Sequence, residues 1–153
     1  MVERTLIIVK PDGIQRHMAG ELISRFERKG FKLVAAKFMQ IPESLARKHY
    51  GAHEGKPFFA GVVKFLSSAP SLVMVWEADG VIEMSRKMMG TTSGYDAAAG
   101  TIRGDLSCSG RYNLVHGSDS PETAEKEISL YFKPEEIVSY NLADEKWLYY
   151  KSD

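Results

Sequence analysis

Short apolar runs alternate along this chain with segments of helical spacing, and that alternation is what most constrains the fold. Four runs rich in β-branched or other apolar residues predict buried strands, at residues 5–9, 31–39, 72–76 and 114–115. Apolar residues at helical spacing predict five helices between and after them. The order β-α-β-α-α-β-α-β-α suits a mixed four-stranded sheet with helices packed against it. Spacing alone leaves α+β and α/β architectures open.

The predicted helices begin and end at recognisable residues. The first ends at Gly30, which suits the position after a helix because glycine tolerates left-handed backbone. The second begins at Pro42, and the third covers residues 58–66. The fourth covers residues 81–89, and the last covers residues 121–132, after a serine that can cap it.

A glycine-rich loop is predicted over residues 90–111, between the fourth helix and the last strand. Loops of that length in compact domains usually serve function or assembly. With 153 residues and 44% hydrophobic content, the chain is expected to form one domain over residues 1–153.

The balance of charges and the single cysteine narrow the class of protein. Lysine plus arginine equals aspartate plus glutamate at 20 each, so no basic surface for general nucleic-acid binding is expected. Cys108 has no partner for an intramolecular disulfide and suits a reducing compartment. Because the sequence has neither a signal peptide nor an apolar run of membrane length, we expect a cytoplasmic protein.

His116 and Glu127 carry the most informative chemistry in the sequence. Glu127 falls in the buried stripe predicted for the last helix, where a carboxylate needs a partner to offset its desolvation. Ser118 and His116, just upstream, are the candidate partners. A carboxylate bound to one imidazole nitrogen fixes the tautomer and leaves the other nitrogen free as a nucleophile. The alternative is that His116 is a turn histidine and Glu127 a solvated helix residue.

Neither of the common glycine-rich phosphate motifs is present. Residues 51–57 are one residue too short for a Walker A motif and have proline where Mg²⁺ coordination needs serine or threonine, and no G-x-G-x-x-G occurs. Side chains would therefore have to neutralise a bound triphosphate. The candidates are Lys10, Arg86 and Arg103, with hydroxyl donors from Tyr50 and Thr92. Each cation also has a simpler interpretation, as a strand exit, a surface residue and a turn residue, respectively.

Five segments together resemble one family over essentially the whole chain. They are Val9-Lys10-Pro11-Asp12-Gly13; His49-Tyr50 followed by Lys56-Pro57-Phe58-Phe59; Met74-Val75-Trp76-Glu77; Gly100-Thr101-Ile102-Arg103-Gly104-Asp105; and Asn113-Leu114-Val115-His116-Gly117-Ser118-Asp119-Ser120 with the helix after it. The chain resembles the nucleoside diphosphate kinases in these segments and in their order. The resemblance implies an α+β fold with a ferredoxin-like βαββαβ core, and a four-stranded antiparallel sheet covered by helices.

The resemblance also implies an activity and a set of site residues. It implies ping-pong transfer of a γ-phosphate through a phosphohistidine at His116, oriented by Glu127 and Ser118. It implies phosphate contacts from Lys10, Tyr50, Arg86, Thr92 and Arg103, ribose contacts from Asn113 and Lys10, and stacking of the base on Phe58. Mg²⁺ would be held by phosphates and water rather than by the protein. A stacked base has no hydrogen-bond readout, so little base selectivity is expected.

One conflict with strand geometry follows from these roles. Strict alternation places Asn113 and Val115 on one face of the last strand, and Leu114 and His116 on the other. Asn113 and His116 should both meet the nucleotide. We therefore predict that the backbone leaves β geometry at His116-Gly117, in a strained conformation.

The long loop contains the main departures from the family. Gly94 and Ala99 stand where prolines are usual, which puts assembly strength in doubt because this loop commonly joins subunits in the family. Tyr112 is unusual beside the ribose contact and is interpreted as filling a gap. The resemblance implies a homo-oligomer, a hexamer or tetramer, that binds nucleoside tri- and diphosphates without a membrane or a specific nucleic acid. The aromatic tail, residues 141–153, could pack on a neighbouring subunit or on its own domain.

Two other classes of protein remain as alternatives. The first is a catalytically quiet nucleotide-binding or scaffold protein that keeps the same fold. The second is an RNA-binding module, which would need exposed aromatic residues on the sheet and a basic surface. Residues 31–39 are predicted to be buried and the net charge is zero, so the sequence favours the kinase.

Overall fold

A four-stranded sheet lies at the centre of the computed structural model, which describes residues 1–150. The strands are β1 (Val2–Val9), β2 (Lys32–Met39), β3 (Ser71–Asp79) and β4 (Val115–Gly117), and their order in the sheet is β2-β3-β1-β4. Every paired strand runs antiparallel to its neighbour. The antiparallel α+β fold implied by the resemblance is therefore confirmed, and the mixed sheet suggested by spacing alone is wrong.

Helices cover this sheet on both faces. They are α1 (Pro11–Gln15), α2 (Ala19–Arg28), α3 (Glu43–His49), α4 (Phe59–Ser67), α5 (Val81–Met89), α6 (Ile102–Leu106), α7 (Pro121–Tyr131) and α8 (Glu145–Leu148), with 3₁₀ turns at Gly51–His53 and Pro134–Glu136. Within residues 1–150, no helix is long and apolar enough to cross a membrane.

The second half of β1, residues 6–9, is apolar without interruption because it is buried on both faces of the sheet. Ile7 and Val9 belong to a core cluster on one face of the sheet, with Phe26 of α2. Leu6 and Ile8 belong to a second cluster on the other face, which α3, α4 and α7 complete. Because successive strand residues point to opposite faces, a strand buried on both sides has no polar position to spare. Full burial of each such side chain contributes about 1.5–3 kcal/mol.

The predicted elements are all present, but three short helices were missed, namely α1, α6 and α8. Residues 11–13, predicted as a turn, begin α1, with Pro11 at its first position. The predicted loop over residues 90–111 contains α6, which Thr101 caps by accepting a hydrogen bond from the Gly104 N–H at 3.0 Å. Helices of four or five residues contain too few apolar positions to show a period.

In the sequence Phe58 and Val62 stand at helical spacing, but the buried stripe of α4 lies one residue further along the chain. Phe59 and Val63 are buried, whereas Phe58 precedes the helix and is 46% exposed. The spacing alone would have made Phe58 a core residue. Its exposure instead leaves an aromatic face available at the surface.

The chain after α7 packs on its own domain, first through residues 138 and 140 and then through Tyr149 of the predicted tail, whose hydroxyl accepts a hydrogen bond from the Asp79 N–H at 3.4 Å. The Tyr140 hydroxyl donates to the carbonyl of Leu33 at 2.6 Å, and the Val138 N–H donates to the carbonyl of Val34 at 2.8 Å. Both acceptors belong to β2, so residues 138–140 follow the edge of the sheet. Residues 151–153 of the predicted tail lie outside the described part.

Candidate active site

His116, Glu127 and Ser118 form one hydrogen-bonded group at the junction of β4 and α7. β4 holds His116 opposite Ile8 of the central strand, and α7 presents Glu127 from its buried face. The His116 Nε2 lies 3.0 Å from both carboxylate oxygens of Glu127. The Ser118 hydroxyl donates to Glu127 Oε1 at 2.6 Å. The partners predicted for this carboxylate are thus the ones it has.

Glu127 is held as an anion although it is buried. Burial by itself would raise the pKa of this carboxyl group. The hydrogen bond and charge of His116, together with His49 and Ser118, outweigh burial and lower the pKa below its ordinary value. Among residues 1–150, the His116 Nδ1 has no protein hydrogen-bond partner, whereas Nε2 is engaged. Nδ1 is therefore the nitrogen that can meet a ligand.

The backbone departs from β geometry at Leu114, and the predicted departure at His116-Gly117 is wrong. Leu114 is left-handed, with a φ of 71°, whereas His116 and Gly117 pair regularly with β1. A non-glycine residue in this region costs about 1–3 kcal/mol. The break in alternation therefore lies between Asn113 and β4, upstream of His116.

The α1 region holds Leu114 in this conformation from both sides. The Lys10 N–H donates to the Leu114 carbonyl at 2.9 Å, and the Leu114 N–H donates to Asp12 Oδ2 at 3.0 Å. Gly13 lies directly beneath, where a Cβ would come within 2.9 Å of that same carbonyl oxygen. Asp12 is thus a structural member of the site that the sequence prediction omitted, although it lies in the Lys-Pro-Asp-Gly run.

Three of the predicted nucleotide-binding residues form a chain beside this strand. Lys10 Nζ donates to Asn113 Oδ1 at 2.9 Å, and Asn113 Nδ2 donates to the carbonyl of Thr92 at 2.8 Å. Asn113 is 4% exposed, while Thr92 is at the surface. The structure thus brings Thr92 of the long loop and Asn113, just before β4, together.

The two arginines are anchored on backbone carbonyl groups. Arg103 donates to the carbonyls of Asn113, Gly90 and Val115 at 3.2, 3.0 and 2.7 Å. Arg86 donates to the carbonyl of Gly117 at 3.3 Å. Both guanidinium groups therefore hold the strand that carries His116.

Burial and neighbouring positive charge lower the pKa values of two of these cations, Lys10 and Arg103. Burial, and then the charge of Arg103, lowers the pKa of Lys10 to about 8. Burial, and then the charge of Arg86, lowers the pKa of Arg103 to about 10. Three close positive charges are unfavourable by themselves and favour an anionic ligand.

Tyr50 and Phe58 lie further out from His116. Burial, and then the charge of Glu127, raises the pKa of Tyr50 to about 12, so its hydroxyl stays protonated. The ring of His53 lies between the two, with centroids 6.5 Å from Tyr50 and 5.3 Å from Phe58. Phe58 thus marks the outer end of the site.

His49 lies at the centre of the site and was given no role in the sequence prediction. Its ring stands edge-on to that of His116, with centroids 4.5 Å apart. Its Nε2 lies 3.6 Å from Glu127 Oε2. The sequence offered only its place next to Tyr50, because nothing in the spacing links residue 49 to residue 116.

The donor atoms of the site do not form a magnesium cage. In the described part of the chain, His49, His116 and Glu127 form the one group of three candidate ligands, with donor atoms within 4.8 Å of one another. Mg²⁺ prefers oxygen ligands, and only one of these three residues supplies oxygen. The residues present therefore suit a cation that arrives with its own phosphate and water oxygens.

Comparison with known proteins decides the family. The family model described as nucleoside diphosphate kinase matches residues 3–137. The chain belongs to the nucleoside diphosphate kinase family. A nucleoside diphosphate kinase of Carboxydothermus hydrogenoformans is 53% identical over 148 residues, which cover 97% of this chain and 99% of that protein. The kinase activity and the transfer of phosphate between nucleotides, predicted from the sequence, are confirmed.

Solved structures of nucleoside diphosphate kinases have the same fold. The enzyme from Halobacterium salinarum, determined in complex with CDP, matches with a TM-score of 0.95 and 45% identity, covering 98% of this chain and 100% of that one. The Borrelia burgdorferi enzyme, a transition state mimic with bound vanadate and ADP, matches with a TM-score of 0.89 and 39% identity, covering 94% and 95% of the two chains.

Proposed function

We propose that this kinase works by a ping-pong mechanism in which His116 Nδ1 is the nucleophile. Nδ1 attacks the γ-phosphorus of a nucleoside triphosphate, the N–P bond forms, and the bond to the bridging oxygen breaks with its electron pair going to the diphosphate. A terminal phosphate oxygen of a second nucleoside diphosphate then attacks the phosphorus and releases His116. The observation that carries this proposal is the engagement of Nε2 by Glu127 at 3.0 Å, which leaves Nδ1 free.

Glu127 and Ser118 act through His116. As Nδ1 bonds to phosphorus, positive charge develops on the imidazole ring, and the Nε2 proton stays directed at the carboxylate. Ser118 is fully buried and holds one carboxylate oxygen, so the carboxylate needs little reorganisation during the reaction. The low pKa of Glu127 supports a carboxylate that is already charged before the nucleotide binds.

The cations stabilise the charge that moves from the γ-phosphate to the diphosphate. Lys10, Arg86 and Arg103 would contact phosphate oxygens, and a Mg²⁺ ion brought in by the phosphates and water would supply further positive charge. Arg103 uses three of its five N–H donors on carbonyl groups, which leaves two for a ligand. Thr92 and Tyr50 would add hydroxyl donors, and Lys10 and Asn113 would bind the ribose.

Phe58 would stack on the base. Its 46% exposure and its place before α4 support a ring that is open on one face. Stacking accepts every base, so nucleotides with different bases should be used at similar rates.

The proposal includes a single kinase domain over residues 1–153, assembled as a homo-oligomer in the cytoplasm. The family model ends at residue 137 and the chain after it packs on β2, which supports one domain. A hexamer or tetramer is supported by the resemblance and by Tyr95, which is 82% exposed in the loop that commonly joins subunits in the family.

A labelling experiment tests the mechanism. The protein is incubated briefly with γ-labelled ATP and Mg²⁺, and GDP is then added. We expect acid-labile, base-stable label on the protein, removed by GDP and absent in His116→Ala. Full labelling of that variant would refute the role of His116. A folded wild-type protein that binds ATP without taking label would instead favour the catalytically quiet alternative.

A further inference from the structure

His49 is the one buried imidazole that the proposed reaction does not use. Its side chain is 1% exposed, and the rings of His116, Tyr50 and Tyr131 surround it at centroid distances of 4.5, 4.8 and 5.8 Å. A titratable side chain so deeply buried needs partners for its ring nitrogens. His49 has a hydrogen-bond partner at Nδ1 and a longer electrostatic contact with a carboxylate at Nε2.

One partner is Tyr131, the last residue of α7. Its hydroxyl oxygen lies 3.2 Å from His49 Nδ1. Burial, and then the charge of its neighbours, raises the pKa of Tyr131, so the hydroxyl keeps its proton. The other partner is Glu127, whose Oε2 lies 3.6 Å from His49 Nε2. Glu127 and Tyr131 are four residues apart and therefore lie on one face of α7.

His49 is neutral in these surroundings. Burial is the main cause that lowers its pKa to about 3, and His116 and Lys10 lower it further, while Glu127 opposes them. A neutral imidazole has one N–H. If that proton were on Nδ1, the Nε2 lone pair would face the Glu127 anion. If it is on Nε2, it faces the anion, and Nδ1 accepts the Tyr131 hydroxyl proton.

We propose that His49 and Tyr131 form a positioning pair for the catalytic carboxylate. Tyr131 donates to His49 Nδ1, which keeps the His49 proton on Nε2 and directs it at Glu127 Oε2. Glu127 Oε1 then accepts the Ser118 hydroxyl proton, Oε2 faces the His49 N–H dipole in an electrostatic contact at 3.6 Å, and His116 Nε2–H points between the two oxygens.

The neutrality of His49 matters as much as its position. A cationic residue 49 would pair with Glu127 and compete with the charge that develops on His116 during phosphoryl transfer. A neutral donor orients the carboxylate without consuming its charge. The closest analogy is the buried group that orients a metal ligand, whose loss commonly lowers activity about 10- to 100-fold.

Three variants test the pair, and the inference rests on the proposed role of His116. Tyr131→Phe removes the donor to Nδ1, His49→Leu removes the whole imidazole, and His49→Gln keeps an N–H that can reach Glu127. Rapid-quench labelling with γ-labelled ATP gives the rate of phosphoenzyme formation, and calorimetry gives the Kd for ADP.

We expect Tyr131→Phe to slow phosphoenzyme formation about 3- to 10-fold, the loss expected for one neutral hydrogen bond, with the Kd for ADP unchanged. His49→Leu should slow it about 10-fold or more, and His49→Gln should recover part of that loss. Tyr140→Phe is the matched control, because it removes a tyrosine hydrogen bond of 2.6 Å outside the site. The control should label at the wild-type rate.

Nitrogen NMR of ¹⁵N-histidine protein supplies a readout that a merely structural role would not move. His49 should show protonated Nε2 and unprotonated Nδ1 from pH 8 down to pH 5, and a mixture of tautomers in Tyr131→Phe. A wild-type His49 with its proton on Nδ1 would overturn the proposal. So would Tyr131→Phe protein with wild-type labelling, a result that would leave the role of His116 intact.

Discussion

The corner formed by β4 and α7 and the loop over residues 90–111 contribute to the same site in different ways. The corner is buried, with Ser118 fully covered and Glu127 only 6% exposed, and its groups bind one another directly. The loop is largely exposed and reaches the site through Thr92 and Arg103. The proposed nucleophile, His116, is thus held by the core, whereas two of the proposed phosphate contacts, Thr92 and Arg103, belong to a surface segment. Changes in the two regions should have separable effects.

The largest effect should come from the corner. In Glu127→Gln the side chain keeps its size but cannot balance the charge that develops on His116. We expect kcat to fall about 10- to 100-fold, with little change in the KM for either nucleotide. Steady-state kinetics with ATP and GDP measures both. If KM rises instead and kcat is retained, the corner of β4 and α7 contributes to nucleotide binding, and the distinction drawn between the two regions is wrong.

The cations Lys10, Arg86 and Arg103 should give an intermediate effect, and that effect should depend on pH. The pKa of Lys10 is lowered to about 8, so the side chain loses its charge as the pH rises through that value. A bound phosphate favours the charged form and raises the pKa again, so binding takes up a proton near pH 8. The affinity for ADP should fall about 10-fold between pH 7.5 and pH 9.

Calorimetry in buffers of different ionisation enthalpy detects this proton uptake. Lys10→Arg provides the control, because arginine keeps its charge and should flatten the pH dependence. The same shift affects folding. The folded-state pKa lies below the ordinary value of 10.5, so unfolding takes up a proton and stability should rise with pH between the two values. If the affinity of the wild-type protein for ADP does not change with pH, the charge of Lys10 does not contribute to binding.

The smallest effect should come from the loop. Ala99 is the second residue of a turn in which the Thr101 N–H donates to the Ala98 carbonyl at 3.2 Å and Gly100 has a φ of 92°. Proline is favoured at this position of a type II turn, so Ala99→Pro should stabilise the protein by about 0.4–1 kcal/mol. Thermal unfolding at a fixed protein concentration measures the change, and kcat should not move.

The matched loop variant is Gly94→Pro. Its N–H donates to the Ser109 carbonyl at 3.1 Å, and a side chain there would collide with Ser107. Proline at this position should therefore destabilise the protein, although both positions are usually proline in the family. If both proline variants stabilise, the loop geometry described above is wrong.

The sequence predicted the elements that burial determines. The four strands and the last helix were identified because apolar residues recur along them, and the partners of Glu127 followed from the cost of burying a carboxylate. His49, Asp12 and the conformation of Leu114 were not predicted. Each depends on contacts between segments far apart in the chain, and local periodicity contains no information about such contacts.

Tyr112, interpreted from the sequence as filling a gap, has a partner in the structure. Its ring packs against Phe65 of α4 with centroids 5.1 Å apart, although it remains 57% exposed. Tyr112, next to the proposed ribose contact at Asn113, thereby packs on the helix that begins after Phe58.

The left-handed residue before β4 has a consequence for how the enzyme fails. Leu114 is fully buried, and its peptide groups are bound to residues 10 and 12 at the end of the central strand. The direction of the His116 ring is therefore set from inside the core, with no separate hinge. On heating, the orientation of His116 and the fold should be lost in one cooperative event, since His116 lies on no local segment that could melt before the core.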